Sequence, residues 1–261
     1  MNPTKPVLKV IKIGGNVIDN PKALADFLRL FASLEGPKVL IHGGGKIATQ
    51  LAKDMGIESK MIDGRRVTDE TSLRIVTMVY AGWINKSIVA ALQAEGCTSL
   101  GLSGPDGGMV RAKKRNPIPV DYGFVGDIEE VNGKALAQLI EAGYAPIFAP
   151  ITADASGQLL NTNADTMAQA IAIALSDFFQ VNLVYCFEKP GVLRDPQDDH
   201  SVIPSIHASY FEELKANGTV TAGMIPKLEN ALKAISKGVH LVRLCLADHL
   251  MNENLGTNIL P

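Results

Sequence analysis

Short apolar runs alternate along the chain with stretches of helical periodicity, and glycines mark several of the joints. VLKVI (7–11) reads as a first strand. Asn20-Pro21 then supplies an N-cap and a proline at the first helical position. Leu24, Phe27, Leu28 and Phe31 follow at the i, i+3, i+4, i+7 spacing of one buried helix face. Gly36-Pro37 ends that helix, and KVLIHGGG (38–45) forms a second strand running into a glycine turn. Ile47, Leu51 and Met55 predict the core face of another helix.

Strand–turn–helix units in this order predict an α/β fold, an αβα sandwich whose central sheet is mainly parallel with helices on both faces. The segment from Met109 to Ile128 is rich in Gly, Pro and charge and reads as hairpins or loops inserted in that scaffold. FEKPGVLRDPQDD (187–199) reads as a polar, turn-rich surface loop. A helix ends near Ser176-Asp177 and VNLVYC (181–186) begins a new strand, so the division into two lobes falls there, at 1–177 and 178–261. FFQVNLVYC (178–186), the lone Trp83 and the methionines read as packing.

The length of 261 residues suits one large α/β domain or two lobes, and 46% hydrophobic with 20% charged residues is an ordinary globular balance. A net charge of −2 without a basic bias gives no reason to expect a nucleic-acid partner. Cys97, Cys186 and Cys245 lack metal-ligand or CxxC spacing and read as reduced, structural thiols. Lys9 and Lys12 break the N-terminal apolar run, so it is no export signal, and no apolar stretch approaches the length of a membrane span. A cytoplasmic protein without a membrane partner is expected.

Lys12 lies among Val10, Ile11 and Ile13, in a strand expected to be buried on both faces. A buried ammonium needs an anion beside it, and Gly14-Gly15 would let backbone N–H groups approach one. The plainer reading is a snorkelling lysine beside a tight turn. HGGGK (42–46) places three glycines between a strand and a helix, a stronger anion-binding arrangement, although not a Walker A loop. It also fits G-x-G-x-x-A through Gly43, Gly45 and Ala48, with Asp63 about 20 residues further on, as in dinucleotide binding. In GRRVTDE (64–70), Thr68 reads as an N-cap, while Arg65 and Arg66 are either solvated surface or a fork for a substrate carboxylate.

LLNTNADTMAQAIAIAL (159–175) alternates Asn161 and Asn163 toward one side of an extended segment. Asn163 also suits an N-cap, and Asp165 a first-turn acid, of a helix apolar nearly all round. TAGMIPKLENALKAISKG (221–238) carries Pro226 near a helix start, with Leu228, Ala231, Leu232 and Ile235 as its core face. Lys227 then sits in a first turn, where the macrodipole disfavours a cation unless an anion is near. His42, His200, His207, His240 and His249 show no metal or triad spacing, and His42 reads as a satisfied core or turn histidine.

In order along the chain, IKIGGN, IHGGGK, GRRVTDE, AGWINKSIVAAL (81–92), GLSGPDGG (101–108), LLNTNAD and TAGMIPK resemble the amino-acid kinase superfamily, and within its N-acylglutamate kinase branch most closely the acetylglutamate kinases. The resemblance runs from Lys12 to the terminal GTNI (256–259). It implies the amino-acid kinase fold, with acylglutamate binding and dimerisation in the first lobe and ATP with magnesium in the second. It implies phosphorylation of the side-chain carboxylate of N-acetyl-L-glutamate in arginine biosynthesis, while a longer acyl group such as succinyl stays open. Lys12 and Lys227 match the lysines that stabilise the transferring phosphoryl group, and Asp165 the aspartate that orients them. Gly44 and Gly45 match the backbone meeting substrate and phosphate, with Gly14 and Gly15 on the other turn. Arg66 and Asn161 match the residues that hold the substrate, beside Asn163. No protein metal ligand is implied. For the nucleotide the resemblance points to Glu188, Gly191, Thr221 and Gly223.

Two departures stand out. Members of this branch usually carry an aspartate in a D-x-x-G-V-L pattern where this chain has Glu188. Arginine-inhibited relatives also carry an extra N-terminal helix that joins dimers into hexamers, whereas here the first strand begins by about Val7. A homodimer insensitive to arginine is therefore expected. The competing readings are a dinucleotide-dependent oxidoreductase built on GGGKIA and a non-catalytic ligand sensor on the same fold.

Overall fold

The structure is a computed structural model that describes residues 5–62, 64–220 and 224–261. Its strands are β1 (Val7–Ile13), β2 (Lys38–His42), β3 (Met61–Ile62), β4 (Arg65–Arg66), β5 (Ser99–Leu102), β6 (Val110–Lys114) and β7 (Gly126–Val131). They continue as β8 (Ala145–Phe148), β9 (Ile151–Ala153), β10 (Leu159–Asn161), β11 (Gln180–Cys186), β12 (Ser205–Ile206), β13 (Leu241–Cys245) and β14 (Thr257–Ile259). Eight of these form one sheet in the order β12-β14-β13-β11-β1-β2-β8-β5, in which the antiparallel contact is that of β14 with β13. The glycine- and charge-rich middle forms a second sheet, β10-β9-β6-β7, with β6 and β7 an antiparallel pair. The expectation of a mainly parallel α/β sandwich carrying an inserted hairpin region therefore holds.

Helices α1 (Gly15–Ile18), α2 (Pro21–Ser33), α3 (Gly45–Asp54), α4 (Glu70–Thr77) and α5 (Asn85–Ala94) follow the early strands. Of these, α2, α4 and α5 build the core on one sheet face with Ile11, Ile13 and Leu40. On the other face lie α6 (Gly133–Glu141), α7 (Ala164–Leu175), α8 (Ala208–Ala216) and α9 (Ile225–Ser236), packed with Leu8, Val10 and Ile41. The alternation of β1 decides this sorting, because neighbouring side chains leave a strand on opposite faces. Lys12 follows Leu8 and Val10 and so points to the α7 side.

The start of α2 is as the sequence predicts: the Asn20 side chain accepts from the backbone N–H groups of Lys22 and Ala23, with Pro21 opening the helix. Elsewhere tertiary packing changed the local reading. Asp69, not Thr68, caps α4 by accepting from the Ser72 N–H, since the Thr68 side chain is buried in the site described below. In α3 the fully buried positions are Ala48 and Ala52, because the helix approaches α4 closely through small residues, and Met55 is exposed.

A π-type turn at Met78–Ile84 joins α4 to α5, giving one continuous helix from Glu70 to Ala94 of 25 residues. By length and composition this helix is long and apolar enough to span a membrane, contrary to the expectation that no stretch approaches that length. It is a core helix: Ile75, Val76, Val79, Ile84, Ile88 and Leu92 are buried against the sheet. That face leaves Trp83 70% and Met78 52% exposed on the opposite side, so Trp83 is not a packing residue within the chain.

Candidate active site

The site lies outside the carboxyl ends of β1, β2 and β11, where an open parallel sheet offers its ligand crevice. Lys12 is 16% exposed at the end of β1, and its Nζ lies 2.7 Å from Asp165 Oδ1. Asp165 stands in the first turn of α7, whose N-cap Asn163 accepts from the Thr166 N–H. The partner expected for a sunken ammonium is thus present. Gly14 follows without a side chain, and a Cβ there would lie 3.6 Å from Lys12 Nζ. No side chain caps α1, so its first amides are open to a ligand.

The second turn is tighter. Gly44 has φ of 150°, and a Cβ on it would overlap Ile84 Cδ1 and press on the Tyr80 ring, so the π-type turn requires glycine here. Gly45 opens α3, again with no side-chain cap. Arg66 is buried, contrary to the surface reading of its residues alone, while Arg65 is exposed. Its guanidinium donates to Ser59 Oγ at 2.8 Å, to the Gly45 carbonyl at 2.9 Å and to Thr49 Oγ1 at 2.7 Å. Asn161 Nδ2 donates to buried Thr68 Oγ1 at 3.0 Å.

These residues meet in one cleft of about 690 Å³, lined by Gly44, Gly45, Arg66, Asn161, Asn163, Asp165 and Lys227. Tyr80, Arg115 and Asn230 line it too, and no local pattern in the sequence distinguishes them. Arg115 is held by Asp127, whose Oδ1 accepts from Nε at 3.0 Å and from Nη2 at 2.6 Å. A second cavity of about 490 Å³ is lined by Lys12, Gly14, Gly15, Glu188 and Lys227. Lys227, in the first turn of α9, therefore faces both spaces. Among the described residues it forms no ion pair, and Asp165 engages Lys12 instead. Its Nζ lies 5.2 Å from the centroid of the Phe187 ring.

On the nucleotide side, Glu188 borders the 490 Å³ cavity, whereas Gly191 lines a separate pocket of about 150 Å³ with Lys189 and Thr219. A Cβ at Gly191 would lie 2.7 Å from Thr257 Oγ1, so close packing also requires glycine there. Thr221, Gly223 and Asp63 lie outside the described residues. Tyr185, unnoticed in the sequence, donates to the Asp165 carbonyl at 3.2 Å and anchors the start of α7 to β11. Burial and the Asp165 charge push its phenol well above the ordinary tyrosine range.

His42 is a satisfied core histidine, as expected. Its Nδ1 donates to the Gly43 carbonyl at 2.8 Å, and its Nε2 accepts from Asn85 Nδ2 at 3.2 Å. Burial brings its pKa down to about 4, so the ring is neutral at pH 7. The three cysteines are free and buried. The G-x-G-x-x-A turn follows β2 rather than β1, which weakens the dinucleotide reading.

Comparison with known proteins agrees with this geometry. Residues 8–245 match the amino acid kinase family. The acetylglutamate kinase of Cytophaga hutchinsonii is 52% identical over 259 residues, covering 97% of this chain and 98% of its own. Among solved structures, N-acetylglutamate synthase from Neisseria gonorrhoeae, complexed with coenzyme A and N-acetyl-glutamate, superposes with a TM-score of 0.82 at 22% identity. That match covers 99% of this chain and 60% of the synthase. Carbamate kinase from Giardia lamblia bound to AMP-PNP gives 0.67 at 16% identity, covering 100% of this chain and 99% of its own. At such identities the structural matches speak for the fold alone, whereas the sequence match spans both chains almost end to end. The chain belongs to the amino acid kinase family and, within it, to the acetylglutamate kinases.

Proposed function

We propose that the chain transfers the γ-phosphoryl group of Mg-ATP to the side-chain carboxylate of N-acetyl-L-glutamate, making an acyl phosphate for arginine biosynthesis. The observation that carries the reading is the convergence of Lys12, Lys227 and two uncapped glycine turns on adjoining cavities. In-line phosphoryl transfer needs positioning and charge stabilisation more than covalent help. Two ammonium groups and the amides of Gly14, Gly15, Gly44 and Gly45 supply donors where the equatorial oxygens carry charge. The acceptor carboxylate, with a pKa of about 4.3, is already ionised at neutral pH, so no general base is required. Arg66 and Asn161 take the carboxylate and acylamino ends of the substrate, with Asn163 beside them.

Magnesium travels with the ATP phosphates and shields their charge. The nucleotide occupies the second lobe, 178–261, near Glu188, Gly191, Thr221 and Gly223, and the acylated amino acid the first, 1–177. A cytoplasmic homodimer completes the proposal. Its support is the exposed apolar pair Met78 and Trp83 on the outer side of the long helix. A longer acyl group ending in a carboxylate, such as succinyl, is the second reading. It is favoured by Arg65 and Arg115, two further cations that line the same cleft as Arg66.

The test is ADP release with Mg-ATP and N-acetyl-L-glutamate, N-succinyl-L-glutamate, L-glutamate or L-aspartate, with hydroxylamine trapping of the acyl phosphate. Turnover with N-acetyl-L-glutamate and not with the free amino acids is expected. Turnover confined to the succinyl compound selects the second reading, and activity confined to a free amino acid refutes both.

A further inference from the structure

The expected chemistry gives Phe187 no part, yet its ring centroid lies 5.2 Å from the Lys227 ammonium. Phe187 directly follows β11, and its backbone N–H donates to the Cys245 carbonyl at 3.0 Å. Its side chain packs against the core cluster beneath α7 and α9. The ring is therefore held by the sheet, while Lys227 belongs to a different element. Phe187 lines the 490 Å³ cavity and also a small one of about 50 Å³, and Lys227 and Lys12 line both.

The electrostatics around Lys227 explain why such a ring is needed. Lys12 is already neutralised by Asp165. Lys227 sits in the first turn of α9, where the helix dipole repels a cation, and no carboxylate pairs with it among the described residues. Without an attractive group on the cavity wall, so long and exposed a side chain would spread over many rotamers in solvent. The negative face of an aromatic ring within about 6 Å supplies that attraction.

We propose that Phe187 is a positioning residue for Lys227: its π face holds the ammonium at the junction of the two cavities, ready for the transferring phosphate. The proposal rests on the phosphotransferase reading above. The ring acts by lowering the disorder of the Lys227 cation rather than by supplying a reacting group.

Two measurements test it. The first uses protein labelled with 13C at the lysine ε carbons, with the Lys227 signal assigned by its loss in Lys227→Arg. That signal is expected at an upfield, ring-shifted position, and at the ordinary lysine position in Phe187→Leu. The second replaces Phe187 by phenylalanines of increasing fluorine content, which keep the ring's shape and withdraw its π charge. With each fluorine, kcat/KM for ATP should fall, by about two- to fivefold over the whole series, while KM for N-acetyl-L-glutamate stays constant. Phe187→Tyr should retain wild-type values, and Phe187→Leu should fall at least as far as the fully fluorinated ring.

A flat fluorination series beside an impaired Phe187→Leu would reduce Phe187 to a packing residue and overturn the proposal. So would an unshifted Lys227 signal in the wild type. Wild-type protein silent with ATP and every acceptor would remove the phosphotransferase reading together with this one. An active wild type with a flat series removes this one alone.

Discussion

Arg66 shows how a residue's meaning is set by its neighbours. Read locally, it is one of two adjacent arginines in a polar turn, and solvent exposure is the ordinary outcome for both. In the fold Arg65 keeps that place, while Arg66 turns inward to Ser59, Thr49 and the Gly45 carbonyl. The three bonds hold the guanidinium at the wall of the cleft and tie it to the second glycine turn. A lysine keeps the charge but not the planar fork. Arg66→Lys is therefore expected to raise KM for the acylated substrate by about 10- to 100-fold, with a smaller effect on KM for ATP. Equal changes in both constants, measured by steady-state kinetics, would argue that Arg66 supports the fold and not the substrate. Lys12 was more legible, because an ammonium between aliphatic residues must either snorkel to solvent or meet an anion, and Asp165 is that anion.

At the scale of elements, β2 and α5 are joined through a buried polar pair. Asn85 donates both to His42 Nε2 and to the Ile147 carbonyl, at 3.2 and 2.9 Å, and so clamps the helix across β2 and β8. Burial, aided by the Lys86 charge and partly opposed by the Gly43 carbonyl, holds His42 at a pKa of about 4 against an ordinary 6.5. The unfolded chain therefore binds more protons between those values, so stability is full above pH 6.5 and declines as pH falls toward 4. The loss from this group amounts to roughly 3 kcal/mol. Denaturant titrations should show it, and His42→Gln should flatten the dependence over that window; an unchanged slope in the variant would move the effect to other groups. Helix starts were legible where a local rule had no competitor, as at Asn20-Pro21. The rule failed at Thr68, whose hydroxyl is claimed by Asn161 from 93 positions along the chain.

For the whole molecule, the long helix from Glu70 to Ala94 presents a buried and an exposed face. Trp83 and Met78 on the exposed face are large apolar groups that a second copy of the chain would cover. The wild type should sediment as a dimer, and Trp83→Glu, which places a charge in the centre of that face, should shift it toward monomer. A wild type sedimenting as a monomer at all concentrations would refute the homodimer. The same helix shows why its neighbour, the glycine turn, could not be explained locally. Gly44 is glycine because Ile84 and Tyr80 press against it from the π-type turn.

The sequence by itself determined the α/β class, the order of strands and helices around the two glycine turns, and the candidate set Lys12, Asp165 and Lys227. Periodicity, capping residues and the cost of a buried charge act over a few neighbouring positions, and seven motifs in order carry family membership. Tertiary structure alone decided which arginine turns inward, which residue caps α4, which face of the long helix stays bare, and that Lys227 rests against Phe187 rather than Asp165. Each of those depends on atoms brought together from distant parts of the chain, where competition for one hydroxyl, one carboxylate or one cavity wall overrides the local preference.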